Sequence, residues 1–275
     1  MIASMITRTN AQASRARRWR ASLGLCLALV VPWMPRPAAA QDPHALLALP
    51  GLGRASVREA VDVAAAPWRG VGRLQVETGG WCTGALIGPR TVLTAAHCLY
   101  GRAGQPVQPG SVHFLVGYRA GEYDGHARAA SFVIGPGFAI GARGQPLPSV
   151  PWDADWAVVT LDAPLGTADR LLPLARDAPK PGAALALGGY EQDRAHALLA
   201  DTTCRLVGAV EEPTGRTMLR HDCAATRGSS GGPLLARAAD GGWSIIGVAS
   251  LAARGPGGYA VPVAAIDPAA LPAPR

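Results

Sequence analysis

The stretch TRGSSGGPLL, residues 226–235, sets two adjacent serines between glycines at the head of an apolar run. A serine hydroxyl is a poor nucleophile until a base takes its proton, and acyl transfer also needs backbone N–H donors at the developing oxyanion. The glycine before Ser230 lets the chain turn so that two N–H groups converge, and those after it admit another backbone closely. Gly/Ser runs are also common in plain loops, so the stretch acquires meaning only with a base and a carboxylate elsewhere. It matches G-x-S-x-G, the nucleophile elbow of α/β-hydrolases, but those enzymes place their acid and then their histidine after the serine. Here the last histidine is His221, upstream of Ser230. The elbow therefore fails, and any base has to precede the serine.

Two upstream segments supply the missing parts. In LTAAHC, residues 93–98, His97 follows small residues at the end of an apolar strand, beside a cysteine that can pin its turn. Alone it reads first as a surface histidine next to a structural disulfide. In DWAVVTL, residues 155–161, Asp155 opens an apolar strand. A half-buried carboxylate there can accept the Nδ1–H of an imidazole and fix its tautomer, although an aspartate before a strand is more often a turn former. Asp153 is the alternative carboxylate, placed in the preceding loop.

Periodic helical faces are scarce, while short β-branched runs recur between Gly and Pro turn signals, which is the pattern of an all-β sandwich or barrel. Strands are expected near 71–76, 84–87, 91–94, 112–116, 129–134 and 156–161, and again near 184–188, 204–209, 217–221, 233–236, 244–249 and 259–263. That is six to each half. The Gly/Pro-rich stretch 135–152 reads as a long surface loop, and 162–183 as the connector between two β units.

The first forty residues read as an address. Arg15, Arg17, Arg18 and Arg20 precede an apolar run at 21–34 that is too short to span a bilayer, and PAAA at 37–40 suits cleavage after Ala40. Cys26 follows a bulky Leu25, which argues against lipidation, and the paired Arg17 and Arg18 hint at twin-arginine export. This segment holds six arginines and no acid, so the net charge of +7 falls to +1 in residues 41–275. The basicity therefore gives no argument for nucleic acid. Five cysteines become four, which in an oxidising compartment reads as two disulfides. Three pairings are possible. The nearest-neighbour one, Cys82–Cys98 with Cys204–Cys223, closes short loops, while a zinc site from Cys82, His97 and Cys98 lacks the usual ligand spacing.

The order His97, Asp155, Ser230 is that of chymotrypsin-like enzymes, and the motifs agree. CTGALIGPRTVLTAAHCLYG at 82–101 resembles the histidine segment of trypsin-like serine proteases, DWAVVTL their aspartate strand, GSSGGPLL at 228–235 their serine segment, and IIGVASL at 245–251 the strand lining their substrate pocket. APWRGVGRL at 66–74 is closer to secreted bacterial trypsin-like and V8-like endopeptidases. The resemblance implies two six-stranded antiparallel β-barrels with the active site in the cleft between them. The divisions are a signal peptide at 1–40, an N-terminal arm or pro-region at 41–66, and barrels at 67–165 and 166–275. It selects the Cys82–Cys98 bridge. It assigns His97, Asp155 and Ser230 as catalytic, with the N–H groups of Gly228 and Ser230 as the oxyanion hole. It places Ala224 and Ala225 at the pocket floor, Arg227 at its rim, and Ala249, Ser250, Leu251 and Ala252 along the substrate.

The resemblance thus implies a secreted monomeric endopeptidase, extracellular or periplasmic, acting on protein or peptide substrates. Such an enzyme needs no cofactor or metal, and no nucleic acid or membrane once the signal is removed. With no acid at the pocket floor, the expected preference is a small or moderately apolar residue before the scissile bond. Ser229 stands where trypsin-type zymogens carry an aspartate that captures the freed N-terminus, so activation by that insertion is not expected. The rival readings are a catalytically silent binding module on the same fold and an esterase on the same scaffold.

Overall fold

The computed structural model describes residues 49–272, apart from 54–56, 142–146, 148, 213 and 239. The proposed signal segment, with Cys26, and residues 41–48 of the arm lie outside the described residues. Six strands close the first barrel: β2 (Val71–Val76), β3 (Trp81–Gly88), β4 (Thr91–Thr94), β5 (Val112–Val116), β6 (Gly125–Ile134) and β7 (Ala157–Leu161), in the order β2-β3-β4-β7-β6-β5. All neighbours are antiparallel, with Val71 opposite Ala85 and Leu93 opposite Val158. Closure removes the unpaired edges that would otherwise invite association.

The second sheet has eight strands: β1 (Glu59–Ala60), β8 (Leu185–Gly189), β9 (Leu199–Asp201), β10 (Leu206–Glu211), β11 (Thr217–His221), β12 (Pro233–Arg237), β13 (Trp243–Ala252) and β14 (Gly258–Pro262). Their order is β1-β9-β8-β12-β13-β14-β11-β10. The six strands from β8 to β10 curl into a barrel whose ends meet at a bridge between Ala184 and Arg205, where the Leu185 N–H donates to the Cys204 carbonyl at 2.8 Å and the Leu206 N–H to the Ala183 carbonyl at 3.0 Å. The chain is thus a double β-barrel, and both lobes belong to one unit.

Burial explains which strands carry both lobes. β6 alternates exposed and buried positions because one face meets water, whereas β3 is buried along almost its whole length. One face of β3 fills the first barrel and the other meets the second lobe, where the Thr83 N–H donates to the Ser230 carbonyl at 2.8 Å. Leu74, Leu86 and Leu93 are fully enclosed. Truncating any one of them to alanine costs about 2–5 kcal/mol.

One element is added and one expectation is revised. Within the segment read as an arm or pro-region, Glu59 and Ala60 pair with Ala200 and Leu199 and add an edge to the second sheet. The stretch 135–152 is not merely a surface loop. Phe138, Ile140 and Val150 are buried with Ala96 and Ala154 in a satellite core beside the His97 turn, and Phe138 meets Tyr100 edge-on at 5.7 Å. The Gly/Pro signal marks irregular backbone correctly, but the three apolar side chains decide its burial.

Candidate active site

His97 lies in a single 3-10 turn, Ala96–Leu99, directly after β4. No side chain of the turn caps it; Asp155 does so from just ahead of the neighbouring strand β7, its Oδ1 accepting the His97 backbone N–H at 2.9 Å. The other carboxylate oxygen faces His97 Nδ1 at 2.7 Å and also accepts the Ser250 hydroxyl from β13. Asp155 is held between the short turn Trp152–Ala154 and β7, and is almost completely buried. Burial raises its pKa, but the neighbouring imidazole and the donated hydrogen bonds outweigh that and hold the carboxyl below the ordinary range. Burial likewise lowers the pKa of His97, and the Asp155 charge overcomes it, so the imidazole is a stronger base than usual. Its side chain stays 27% exposed, towards the cleft.

Asp153, the other carboxylate of this segment, faces elsewhere. It accepts from Arg216 of the second lobe at 3.2 and 3.3 Å and takes no part in the cleft.

Ser230 follows a loop that its glycines make possible. Gly228 has φ +99°, and a Cβ there would sit 2.1 Å from the Tyr190 carbonyl oxygen. Gly231 has φ +80° and would drive a Cβ into Thr94 and the Thr83 carbonyl at 2.1 and 2.2 Å. Only glycine satisfies both the left-handed backbone and the contact. Ser229 is buried, its hydroxyl donating to the Thr226 carbonyl at 2.7 Å. Ser230 lines the same cleft as His97 and Asp155, while the N–H groups of Gly228 and Ser230 donate to no acceptor among the described residues. No hydrogen bond joins Ser230 Oγ to His97; such contacts are commonly long without substrate and tighten when it arrives.

The cleft has a volume of about 560 Å³. Ala225, Arg227, Ala249, Ser250, Leu251 and Ala252 line it; Ala224 does not, being buried with its N–H on Asp201 at 2.9 Å. Ser250 is placed differently from the expectation in one respect, because its side chain supports Asp155 while its backbone follows the wall. His221 on β11 also lines the cleft, a residue whose sequence position serves only to reject the elbow. Burial pushes its pKa down to about 3, with Arg220 adding to the effect, so it is neutral at pH 7.

Both cysteine pairs are disulfides, Cys82–Cys98 and Cys204–Cys223, with Cα separations of 6.1 and 4.6 Å. The first fastens β3 to the His97 turn. It also explains the clustering of Cys82, His97 and Cys98, whose sulfurs are bonded to each other and hence are not thiolate ligands.

A double barrel with a buried carboxylate on an imidazole and a serine across the same cleft is the architecture of chymotrypsin-like serine endopeptidases. The trypsin family model matches residues 58–269, and the chain belongs to that family. Among solved structures it is similar to a Glu endopeptidase in complex with MPD, with 18% identity and a TM-score of 0.61, covering 77% of this chain and 94% of that one. It is also similar to the inactive form of Rv3671c protease (22% identity, TM-score 0.52, covering 73% and 87%). A third is the thermostable serine protease AL20 from an extremophilic microorganism (23%, 0.53, 70% and 90%). No curated protein matches the chain.

Proposed function

We propose that the chain is a secreted serine endopeptidase in which Ser230, His97 and Asp155 form the catalytic triad. The observation that carries this is the bond between Asp155 and His97 Nδ1 at 2.7 Å, formed by a buried carboxylate on an imidazole that faces the cleft of Ser230. With Nδ1 donating to Asp155, Nε2 is left as the acceptor for the Ser230 proton. Ser230 Oγ attacks the scissile carbonyl as His97 takes that proton, and the N–H groups of Gly228 and Ser230 receive the oxyanion. His97 then protonates the leaving amine, and a water molecule repeats the sequence to release the acid. Asp155 remains ionised throughout.

The pocket favours an uncharged residue before the scissile bond. Its wall brings together Leu187, Ala225, Ala249 and Gly258, with a neutral His221 and no carboxylate other than Asp155 among its described lining. Trypsin-like cleavage after Arg or Lys is therefore not expected. Two disulfides support an oxidising destination, with residues 1–40 as the export signal. No helix among the described residues is long and apolar enough to cross a membrane. A fluorophosphonate probe should label purified residues 41–275 at Ser230, and Ser230→Ala or His97→Ala should lose turnover on the order of 10⁶-fold. Labelling no better than that of Ser230→Ala would make the chain a silent binding module. Turnover of esters without peptides would make it an esterase.

A further inference from the structure

The loop 226–230, which presents the two oxyanion-binding amides, is held from two sides. On one, the Thr83 hydroxyl donates to the Gly228 carbonyl at 2.8 Å and accepts the Tyr190 N–H at 3.0 Å. On the other, Glu191 Oε2 accepts the Thr226 backbone N–H at 3.3 Å, and the Gln192 N–H donates to the Arg227 carbonyl at 2.8 Å. Thr226 in turn receives the Ser229 N–H and hydroxyl on its carbonyl, at 3.1 and 2.7 Å. Glu191 is thus one step from the turn that sets the direction of the Gly228 and Ser230 amides.

Glu191 is buried, with its side chain only 1% exposed, and its cation comes from far away in the sequence. Arg58, just before β1, contacts the same Oε2 and forks onto Asp193 with Nη1 at 3.1 Å and Nη2 at 2.8 Å. Arg58 is itself anchored: Glu59 and Ala60 pair with β9, the Val61 N–H donates to the Leu198 carbonyl at 3.1 Å, and Arg194 Nη2 donates to the Arg58 carbonyl at 3.3 Å. A planar guanidinium that reaches two carboxylates at once fixes direction as well as charge. Ordinary stability does not require such a pair, since apolar replacements of buried ion pairs are often neutral or stabilising.

We infer that Arg58 is a positioning residue for the peptidase reaction: from the N-terminal segment it orients Glu191, and through Glu191 the loop that presents the oxyanion-binding amides. The inference rests on the proposed function of Ser230 and its neighbours. It makes the 57–63 segment part of the working enzyme and not a removable pro-region. It also supplies an internal cation where Ser229 offers no carboxylate to a freed N-terminus. Burial pushes the Glu191 carboxyl up to about 8 even with Arg58 opposing the rise, so without the guanidinium it stays neutral over a still wider pH range and is a poorer acceptor for the Thr226 N–H.

The test compares the mature chain with Arg58→Met, Arg58→Lys, Glu191→Gln and the double variant Arg58→Met/Glu191→Leu. The measurements are kcat, KM, active-site titration, melting temperature and amide exchange at Thr226–Ser230. Arg58→Met and Glu191→Gln should lower kcat on the order of 10²-fold, the scale of one misplaced oxyanion donor, with KM within a few fold. Exchange in the loop should accelerate. Lysine, which keeps the charge without the fork, should recover part of kcat. The double variant should regain melting temperature but not kcat, because its apolar pair restores packing without the Thr226 anchor. A double variant with wild-type kcat, or folded Arg58→Lys and Glu191→Gln variants with wild-type kcat and loop exchange, overturns the inference. Fluorophosphonate labelling of the wild-type chain at Ser230 is read in parallel. Its failure removes the proposed function, whereas equal kcat among labelled variants removes only the role of Arg58.

Discussion

Replacing Asp155 by asparagine tests the centre of the site with almost no change in volume. The carboxylate accepts three donors: the His97 backbone N–H at 2.9 Å, His97 Nδ1 at 2.7 Å and the Ser250 hydroxyl. An amide has only one oxygen. If that oxygen keeps the backbone N–H, which caps the histidine turn, the NH₂ faces Nδ1 and stabilises the tautomer with its proton on Nε2. The imidazole then offers Ser230 a donor where the reaction needs an acceptor. The expected loss in kcat is on the order of 10⁴, the scale for a triad held in the wrong tautomer, or about 5 kcal/mol at 1.36 kcal/mol for each tenfold.

The pH profile gives a second, independent reading. In the proposed mechanism turnover requires neutral His97, so kcat/KM should rise with pH through the free-enzyme pKa of that residue. In the wild type the Asp155 charge more than offsets burial, and the acid limb should have its midpoint above the ordinary histidine value of about 6.5. In Asp155→Asn only burial remains, which favours the neutral ring, and the limb should move below that value while the plateau falls. Both are measured with a chromogenic peptide across pH 4–9, with circular dichroism to verify the fold. A folded variant that keeps more than about a tenth of wild-type kcat, or whose acid limb stays in place, refutes the assignment of Asp155.

Gly228→Ala should lower kcat by at least about 10²-fold, because its Cβ would meet the Tyr190 carbonyl at 2.1 Å and the loop must move its amides; active-site titration alongside kcat reads this directly. A peptide library should show cleavage after small or moderately apolar residues in preference to Arg, Lys, Asp or Glu; a preference for Arg or Lys would contradict the absence of a carboxylate other than Asp155 from the described lining, and a preference for Asp or Glu would give the exposed Arg227 a role in recognition. Replacing Cys204 and Cys223 together by alanine opens a bridge spanning 19 positions and should cost about 3 kcal/mol in urea unfolding, with little change in KM. Extra residues ahead of the mature N-terminus should leave activity intact, as measured on a chain with an uncleavable N-terminal tag; strict dependence on a free N-terminus would contradict it.

Much of this molecule is legible in its sequence for identifiable reasons. All twelve strands expected from short β-branched runs and turn signals form, because Gly and Pro interrupt the chain between the runs and each strand buries one face or both. His97, Asp155 and Ser230 stand out because each sits where a strand meets a turn, and such junctions leave short local signatures. β1 and β9 escape a sequence reading because two or three residues are too short for any periodicity. Arg58 and Glu191 leave no mark at all: they are 133 positions apart, and a charged residue in an irregular segment usually signals solvent. Ser250 and His221 are visible as residues but not as contacts, since the strand pattern tells which face a side chain takes and not what it meets there.

The site is divided between the lobes, and that division determines what the polar contacts across the cleft accomplish. His97 and Asp155 come from the first barrel, Ser230 and Ser250 from the second, and the hydroxyl of Ser250 ends on Asp155. Thr83 of β3 clasps the Ser230 and Gly228 carbonyls, both at 2.8 Å, while Gly231 lies against Thr94 of β4. At the far rim, Asp153 meets Arg216 and the Trp152 N–H donates to Glu212 at 2.8 Å. None of these bonds belongs to the strand ladders that form either barrel. Their common effect is to fix the register between the two lobes at the cleft, and a misplacement of about 1 Å between reacting groups can cost on the order of 10² in rate. Mutations at these contacts should therefore affect kcat far more than stability, whereas mutations in the barrel cores should do the reverse.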